Sequence, residues 1–249
     1  MGGEPVSSYD VRVRRDRLIL WNLDHTLLDA GRVTREAYAE AFTSVTGRPM
    51  VRMAPTAGRT ESEIIFETLA FNGVQTEDDH LEAFTRALET AFAVRRDKVR
   101  AHARVLPGSA EALQAAGRLP GAVQSVLTGS LEATARIKLA ELGLDRHLDL
   151  AVGGYFSPVY PKGATIETSR IKAAGKHGTT IGEGATVLIA DHPLDVRAAQ
   201  IARARCVGVA TGSASETELR AAGADVVLPT LADTAAVVSA IDRLTRHER

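Results

Sequence analysis

Short apolar segments alternate with helical segments along the second half of the chain, and this alternation constrains the fold more than any other feature of the sequence. Strands are predicted at residues 123–127, 148–152, 186–190, 205–209 and 225–228. Helical periodicity predicts helices at about 109–117, 131–142, 164–175, 194–204, 215–222 and 232–246. Strands that alternate with helices form a parallel sheet with helices on both of its faces. The sequence therefore predicts an α/β fold with a doubly wound, Rossmann-like parallel sheet.

The first hundred residues depart from this pattern. An apolar run over about 18–22 predicts one further buried parallel strand. Residues 32–104 contain no convincing strand, so we interpret them as an inserted, all-helical cap. Helices are predicted there at 35–42, 61–69 and about 79–99. The predicted organisation comprises a flexible amino terminus at 1–16, a core domain at 17–31 and 105–249, and a helical cap domain at 32–104.

Composition and charge disfavour several classes of function. The net charge of −1 gives no global basic field for a nucleic-acid partner. The basic run of Arg12, Arg14, Arg15 and Arg17 is interpreted as a solvated lead-in to the first strand. No apolar stretch approaches the roughly 20 residues that cross a bilayer, and the amino terminus lacks the apolar core of a secretory signal. Because Cys206 is the only cysteine, an internal disulfide is excluded, and we expect a cytoplasmic protein without a membrane partner.

Polar side chains follow several of the predicted strands. Parallel strands bring their carboxyl ends to one edge of the sheet, where ligands bind in open α/β folds. The groups expected at this edge are Asn22, Asp24, Thr128, Lys162, Asp191 and Asp195. Phosphoryl transfer needs such a set, because it uses a nucleophile, a proton donor, a hard cation and donors to the phosphate oxygens. The sequence therefore favours phosphoryl-transfer chemistry.

Four segments in this order resemble the motifs of the haloacid dehalogenase-like (HAD) hydrolases. The sequence Asn-Leu-Asp-His-Thr at 22–26 resembles the first motif, Asp-x-Asp-x-Thr, and Ser-Val-Leu-Thr-Gly at 125–129 resembles the second. Lys162 resembles the third motif, and Asp-His-Pro-Leu-Asp at 191–195 resembles the fourth. Residues 223–233 resemble the closing strand of the family. The match spans nearly the whole chain and implies a HAD core with a helical cap, similar to phosphoglycolate phosphatases.

The resemblance implies catalytic roles for the matching residues. The residue at position 22, which is Asn22 here, attacks phosphorus. Asp24 donates a proton to the leaving oxygen and then activates water. Thr128 and the amide of Gly129 hold phosphate oxygens, and Lys162 neutralises charge between the phosphate and the nucleophile. The implied activity is that of a phosphoric monoester hydrolase.

The same resemblance implies Mg²⁺ as the cofactor. Its ligands are the side chain at the Asn22 position, the backbone carbonyl of Asp24 and the carboxylate of Asp191, with Asp195 in or behind this shell. A hard cation with oxygen ligands, waters and a substrate phosphate suits Mg²⁺. Asp195 has a structural alternative, because an acidic residue in the first turn of a helix also interacts favourably with the helix dipole.

Other site residues have structural alternatives too. Asp24 is also placed to cap a helix or form a turn. Thr128 is placed to cap the helix that follows it, which is compatible with contact to phosphate. Lys162 is alternatively a solvated lysine in a loop, and Lys172 and Lys176 are nearby candidates for the same role.

Asn22 departs from the family motif at the nucleophile. An amide oxygen is uncharged and a poor nucleophile, so hydrolysis through a covalent intermediate is expected to be impaired. Loss of one negative charge beside a phosphate also favours tight substrate binding. Three origins are possible: an engineered substrate trap, natural loss of hydrolysis with binding kept, or different chemistry in which Asp24 takes the main role. Ala190, where the family usually has glycine, favours a natural departure.

The cap indicates the class of substrate. Residues 57–61 resemble a loop that projects from such caps into the site. Arg59 is a candidate partner for an anionic part of the substrate, whereas Thr60 and Glu63 form a possible capping box. His25 is either a substrate contact or a turn histidine. A closed cap favours a small phosphorylated metabolite, such as a phosphoglycolate-like compound or a sugar phosphate.

Several competing functions are weaker or remain open. A halocarboxylate dehalogenase is disfavoured, because those relatives lack the second aspartate that Asp24 provides. A dinucleotide-dependent oxidoreductase is disfavoured, because no Gly-x-Gly-x-x-Gly follows the first strand. A mutase shares all four motifs and stays open. The alternative from another class is a non-hydrolytic HAD-derived protein that binds a small phosphorylated or anionic ligand, and no sequence feature favours a particular oligomeric state.

Overall fold

Five parallel strands form the central sheet of the computed structural model, which describes residues 16–77 and 79–246. In chain order the strands are β1 (Arg17–Trp21), β2 (Leu28–Asp29), β3 (Arg104–Val105), β4 (Ala122–Val126), β5 (Thr186–Ala190), β6 (Arg205–Val209) and β7 (Val226–Leu228). The sheet order is β4-β1-β5-β6-β7, and every neighbouring pair in it is parallel. β2 and β3 form a separate antiparallel pair. The predicted α/β fold with a parallel sheet is confirmed.

Helices connect the strands. Within the described ranges they are α1 (Gly31–Thr46), α2 (Glu61–Phe71), α3 (His80–Ala93), α4 (Arg96–His102), α5 (Ser109–Ala116), α6 (Glu132–Glu141), α7 (Lys162–His177), α8 (Pro193–Ile201), α9 (Glu216–Ala221) and α10 (Thr234–Thr245). Apolar residues of α5, α6 and α10 belong to the hydrophobic core on one face of the sheet, and those of α7, α8 and α9 belong to the core on the other face. The sheet is therefore doubly wound, as predicted.

β1 lies inside the sheet, between β4 and β5. Its alternate side chains point to opposite faces, so Ile19 and Trp21 join one core while Leu18 and Leu20 join the other. A strand covered on both faces needs a continuous apolar run, and this explains the sequence of β1. The strand ends at Trp21, and the backbone N–H of the next residue, Asn22, donates to the carbonyl of Ile189 at 2.8 Å.

Helices α1–α4 pack around a third hydrophobic cluster, which includes Tyr38, Phe42, Phe84 and Phe92. Leu131 and other residues near α6 join the same cluster, so the helical region packs directly on the rest of the chain. The division into a core domain and a cap domain remains a prediction. The helix predicted at 79–99 is interrupted between α3 and α4, where the Arg95 side chain donates to a carbonyl of α3 and pairs with Glu40.

Two predicted segments differ from the structure. The strand predicted at 148–152 is wrong, because 3-10 turns occupy Asp145–His147 and Leu150–Val152. Asp149 accepts a hydrogen bond from the N–H of Ala151, which closes the chain into a turn. The helix predicted from 164 begins earlier, at Lys162, so the interpretation of Lys162 as a loop residue is wrong.

The predicted flexible amino terminus lies outside the described residues over 1–15, together with Arg12, Arg14 and Arg15 of the basic run. Within the part of the chain that the structure describes, no helix is long and apolar enough to cross a lipid bilayer.

Candidate active site

A cavity of about 340 Å³ lies where the carboxyl ends of β1 and β4 meet the helical region. Its volume is at the lower end of the range for small-molecule pockets. Seven of the nine predicted site residues line this cavity: Asn22, Asp24, His25, Arg59, Thr128, Gly129 and Lys162. The other two, Asp191 and Asp195, are buried behind it and contact Asn22 and Lys162 respectively. The structure therefore brings the predicted set together at one edge of the sheet.

Asn22 lies at the centre of the hydrogen-bond network. Its amide nitrogen donates to Oδ1 of Asp191 at 2.9 Å, to the backbone carbonyl of Asp24 at 3.1 Å and to Oγ1 of Thr26 at 3.3 Å. Its amide oxygen accepts from Nζ of Lys162 at 3.2 Å. Every polar atom of this side chain thus has a partner.

Asp191 follows β5 and is only 1% exposed. Its Oδ1 also accepts from the hydroxyl of Thr26 at 2.7 Å, whereas its Oδ2 has no hydrogen-bond partner among the described residues. Burial raises the pKa of Asp191, the hydrogen bond from Thr26 opposes this shift, and the nearby charge of Asp195 adds to it.

Of the three candidate lysines, Lys162 is the one that lies in the site. Its Nζ lies 2.5 Å from Oδ1 of Asp195, a fully buried carboxylate in the first turn of α8. The alternative lysines lie elsewhere, since Lys172 donates to the carbonyl of Gly153 and Lys176 pairs with a surface carboxylate. Asp195 therefore lies in the first turn of a helix, as its structural alternative predicted, and its place in a metal shell remains a prediction.

The sequence did not reveal the partner of Asp24. Nζ of Lys138, on α6, lies 2.9 Å from one carboxylate oxygen of Asp24 and 2.8 Å from the other. The Lys138 side chain is 3% exposed and also lies 5.4 Å from the ring centroid of Phe92. The helical spacing could have indicated that Lys138 points inward, because it lies on the same helical face as the buried residues Leu131 and Thr134. A lysine at such an inward position requires a charged partner.

A second buried polar pair borders the cavity. The hydroxyl of Tyr38 donates to Oε1 of Glu61, and Oε2 of Glu61 accepts from the N–H of Leu131 at 3.3 Å. Burial raises the pKa of Glu61, and the hydrogen bond from Tyr38 opposes this shift. Burial also raises the pKa of Tyr38. Glu61 is the first residue of α2, where an acidic residue is ordinary, so nothing in the sequence indicates that it lies in a cavity wall.

The segment before α2 closes one side of the cavity. Thr60 and Glu63 form the predicted capping box, which is confirmed. The Arg59 guanidinium pairs with Glu67 on α2. The N–H of Glu61 donates to the carbonyl of Gly129 at 3.0 Å, which joins this segment directly to the loop after β4.

Two turns shape the remaining wall. The hydroxyl of Thr128 accepts from the N–H of Ser130, while the cap residue of α6 is Leu131, so the prediction that Thr128 caps this helix is wrong. His25 has a left-handed backbone with φ of 64°. Its carbonyl accepts from the Thr211 hydroxyl at 2.6 Å, which holds the turn in place. His25 is therefore a turn residue that also lines the cavity.

The geometry agrees with a match to a known family. A model described as haloacid dehalogenase-like hydrolase matches residues 19–200, most of the chain. The chain belongs to the haloacid dehalogenase-like hydrolase family. A second model, described as HAD-hydrolase-like, matches residues 167–234 of this HAD protein. No curated protein matches it by sequence.

Solved structures share the fold of this HAD protein over nearly its whole length. CbbY from Rhodobacter sphaeroides in complex with phosphate aligns with a TM-score of 0.67 at 18% identity, covering 90% of this chain and 99% of that one. A predicted phosphoglycolate phosphatase from Haemophilus somnus 129PT aligns with a TM-score of 0.64 at 18% identity, covering 90% and 98%. A putative beta-phosphoglucomutase from Thermotoga maritima has a TM-score of 0.57 at 17% identity, covering 91% and 99%.

The acidic residues of this HAD site face different partners. Among the described residues, no group of three or more His, Cys, Asp and Glu side chains is arranged to hold a metal ion. Asp24 faces Lys138, Asp195 faces Lys162, and Oδ1 of Asp191 faces Asn22. The carboxylates therefore do not converge on a shared point.

Replacing Gly129 with alanine is expected to push the segment before α2 away from the site. A Cβ at Gly129 would lie 2.1 Å from the backbone oxygen of Arg59, a contact that backbone atoms cannot relieve cheaply. We expect a loss of about 1–3 kcal/mol in the free energy of unfolding, measured by urea denaturation. Gly175→Ala is the matched control, because a Cβ there meets nothing within 4 Å. Equal stability of the Gly129→Ala variant and the parent chain would contradict this close packing.

Proposed function

We propose that this HAD protein binds a small phosphomonoester in the cavity, in a phosphatase-type site whose hydrolysis is impaired by Asn22. The observation that carries the proposal is the convergence of Lys162, Thr128 and Gly129 around Asn22 at the carboxyl edge of the sheet. These are the groups that a transferring phosphoryl group requires, apart from an anionic nucleophile.

The size and charge of the cavity support a small anionic substrate. Its volume of about 340 Å³ suits a compact metabolite rather than a protein segment. Four cationic side chains line it, namely Arg35, Arg59, Lys138 and Lys162, and they outnumber its two carboxylates, Asp24 and Glu61. A phosphoglycolate-like compound or a sugar phosphate fits this description, and two structural neighbours have names that refer to substrates of this class.

The residues of the site then have distinct tasks. Lys162 neutralises the charge of the phosphoryl group, and the hydroxyl of Thr128 and the amide of Gly129 hold its oxygens. Asp24, oriented by Lys138, faces the leaving oxygen as general acid and the water as general base. Asn22 occupies the position of attack but has no anionic oxygen, so the covalent step is slow.

Mg²⁺ remains a prediction from the family resemblance. When bound in this family's site it would neutralise charge on the phosphate. In this chain the carbonyl of Asp24 and one oxygen of Asp191, two of the groups that would hold it, accept hydrogen bonds from Asn22. No step of the proposal is therefore assigned to the metal.

A non-hydrolytic ligand-binding protein is the second candidate function. The observation that favours it is the complete hydrogen bonding of Asn22. The site therefore leaves no polar atom of this side chain unpaired, although it has no anionic nucleophile. This candidate uses the same cavity and the same class of ligand. It differs from the first only in lacking turnover, so measurement of phosphate release separates the two.

Ligand binding tests what both candidates share. Calorimetric titration with 2-phosphoglycolate, glucose phosphates and orthophosphate is expected to show saturable binding of at least one of them. Thr128→Val should weaken that binding by roughly 10- to 150-fold, since a lost hydrogen bond to a charged group is worth about 1.5–3 kcal/mol. Thr168→Val is the matched control, because Thr168 is exposed on α7. Absence of binding by every ligand in the parent chain, or unchanged affinity in Thr128→Val, would refute the proposed site.

A further inference from the structure

The amide nitrogen of Asn22 lies between one oxygen of Asp191 and the backbone carbonyl of Asp24, the two residues to which the family resemblance assigns the cation. It is 2.9 Å from Oδ1 of Asp191 and 3.1 Å from the backbone carbonyl of Asp24. At hydrogen-bond distances of this kind, each amide hydrogen lies about 2 Å from its acceptor. A Mg²⁺ ion bound to the same oxygens would lie about 2.1 Å from each of them. The amide hydrogens therefore occupy the space in which such a cation would lie.

The neighbours of Asn22 fix the orientation of its amide. The ammonium of Lys162 can only donate, and it faces the amide oxygen at 3.2 Å. The carboxylate of Asp191 and the carbonyl of Asp24 can only accept, and they face the amide nitrogen. Rotating the amide by half a turn would place N–H against ammonium and oxygen against carboxylate. Presenting the amide oxygen to a cation would therefore lose three favourable contacts.

The remaining carboxylate oxygens near Asn22 do not form an alternative site for the cation. Oδ2 of Asp191 has no hydrogen-bond partner within residues 16–77 and 79–246, but it lies against Gly212, where an added Cβ would be only 2.0 Å from it. Both oxygens of Asp24 face Lys138, and Asp195 pairs with Lys162. The residues of this chain therefore do not fit Mg²⁺.

We infer that the Asn22 amide takes the place of the divalent cation, so that the cavity accepts its phosphate ligand without a metal. The amide supplies hydrogen bonds to the oxygens that would otherwise need a cation, and it makes the site one unit less negative than an aspartate would. The second part of the inference, metal-free ligand binding, rests on the proposed function. The first part, exclusion of the cation, concerns the ligand-free chain alone.

Titration with Mn²⁺ in the absence of ligand tests the first part. Loss of the free Mn²⁺ signal in electron paramagnetic resonance reports binding, and competition by Mg²⁺ shows that the two ions share a site. We expect the chain to show no saturable binding at millimolar Mn²⁺, whereas Asn22→Asp binds at least about tenfold more tightly. Gln114→Glu, on the exposed surface of α5, makes the same change of amide to carboxylate away from the site and should match the parent chain. Saturable binding by the parent chain that Mg²⁺ displaces, with the affinity of Asn22→Asp, would overturn the inference.

Thermal denaturation gives a second measurement, whose expected result concerns the parent chain itself. A ligand that binds only the folded state raises the melting temperature. Because we expect Mg²⁺ not to bind, the melting temperature of the parent chain should be the same in EDTA and in Mg²⁺. Fluorescence of Trp21, the only tryptophan and the residue before Asn22, follows the same transition. An increase in melting temperature with Mg²⁺ that Asp191→Asn abolishes would also overturn the inference.

Orthophosphate binding in EDTA and in Mg²⁺ tests the second part. Equal affinity in both buffers is expected, and binding only in Mg²⁺ would overturn the inference. If orthophosphate and the phosphomonoesters fail to bind in either buffer while Mn²⁺ is also excluded, the proposed function is wrong and exclusion of the cation still holds.

Discussion

Asn22→Asp is expected to raise Mg²⁺-dependent phosphate release from small phosphomonoesters by at least about 10³-fold, because removing a covalent nucleophile costs roughly 10⁴–10⁶-fold in other hydrolases. The substitution places an anionic oxygen next to Lys162 and removes the N–H groups that face Asp24 and Asp191. Both the nucleophile and the oxygen ligands for a cation are then restored. Phosphate release should be measured with a panel that includes 2-phosphoglycolate, hexose phosphates and p-nitrophenyl phosphate.

Asn22→Ala is the matched control for this gain. It also removes the amide, but it supplies no nucleophile, so it should remain as slow as the parent chain. If the parent chain already releases phosphate as fast as Asn22→Asp, the covalent mechanism through position 22 is wrong. If no variant releases phosphate from any ester while binding persists, the non-hydrolytic function replaces the phosphatase proposal.

The edge of the sheet was predictable from sequence because it depends on local pattern. A buried parallel strand requires an apolar run, and the polar residues that follow it must lie at its carboxyl end. Asn22, Thr128 and Asp191 follow such runs, so the pattern predicts them at one edge, and the structure brings them there. The order of the segments along the chain then supplied the resemblance to the HAD family, which the family match confirms.

Contacts between distant parts of the chain were not predictable in this way. Lys138 meets Asp24 across 114 positions, and Leu131 meets Glu61 across 70, so no local pattern connects either pair. The prediction of a strand at 148–152 was wrong for a different reason. Its apolar residues fit a strand, but the side chain of Asp149 competes for a backbone N–H and forms a turn.

A double-mutant cycle on Asp24 and Lys138 is expected to show strong coupling in stability. Either single substitution, Asp24→Ala or Lys138→Met, leaves a charge without its partner; breaking a fully buried pair costs about 3–5 kcal/mol, which is the upper limit for this part-buried pair. The Lys138 side chain is 3% exposed and that of Asp24 is 28% exposed. Water therefore reaches the carboxylate more easily than the ammonium, so Asp24→Ala should destabilise the fold more than Lys138→Met.

The double variant removes both charges, and its loss of stability should be smaller than the sum of the two single losses by at least about 1 kcal/mol. Urea denaturation of the four proteins measures this difference. The pair Arg136 and Glu132, on the same helix α6, is the matched control, since both side chains are largely exposed. Its coupling should be about 0.5 kcal/mol or less, as for other surface pairs. If the Asp24 and Lys138 losses add to within about 0.5 kcal/mol, Lys138 does not hold Asp24, and the orientation of Asp24 towards the cavity must depend on its turn alone.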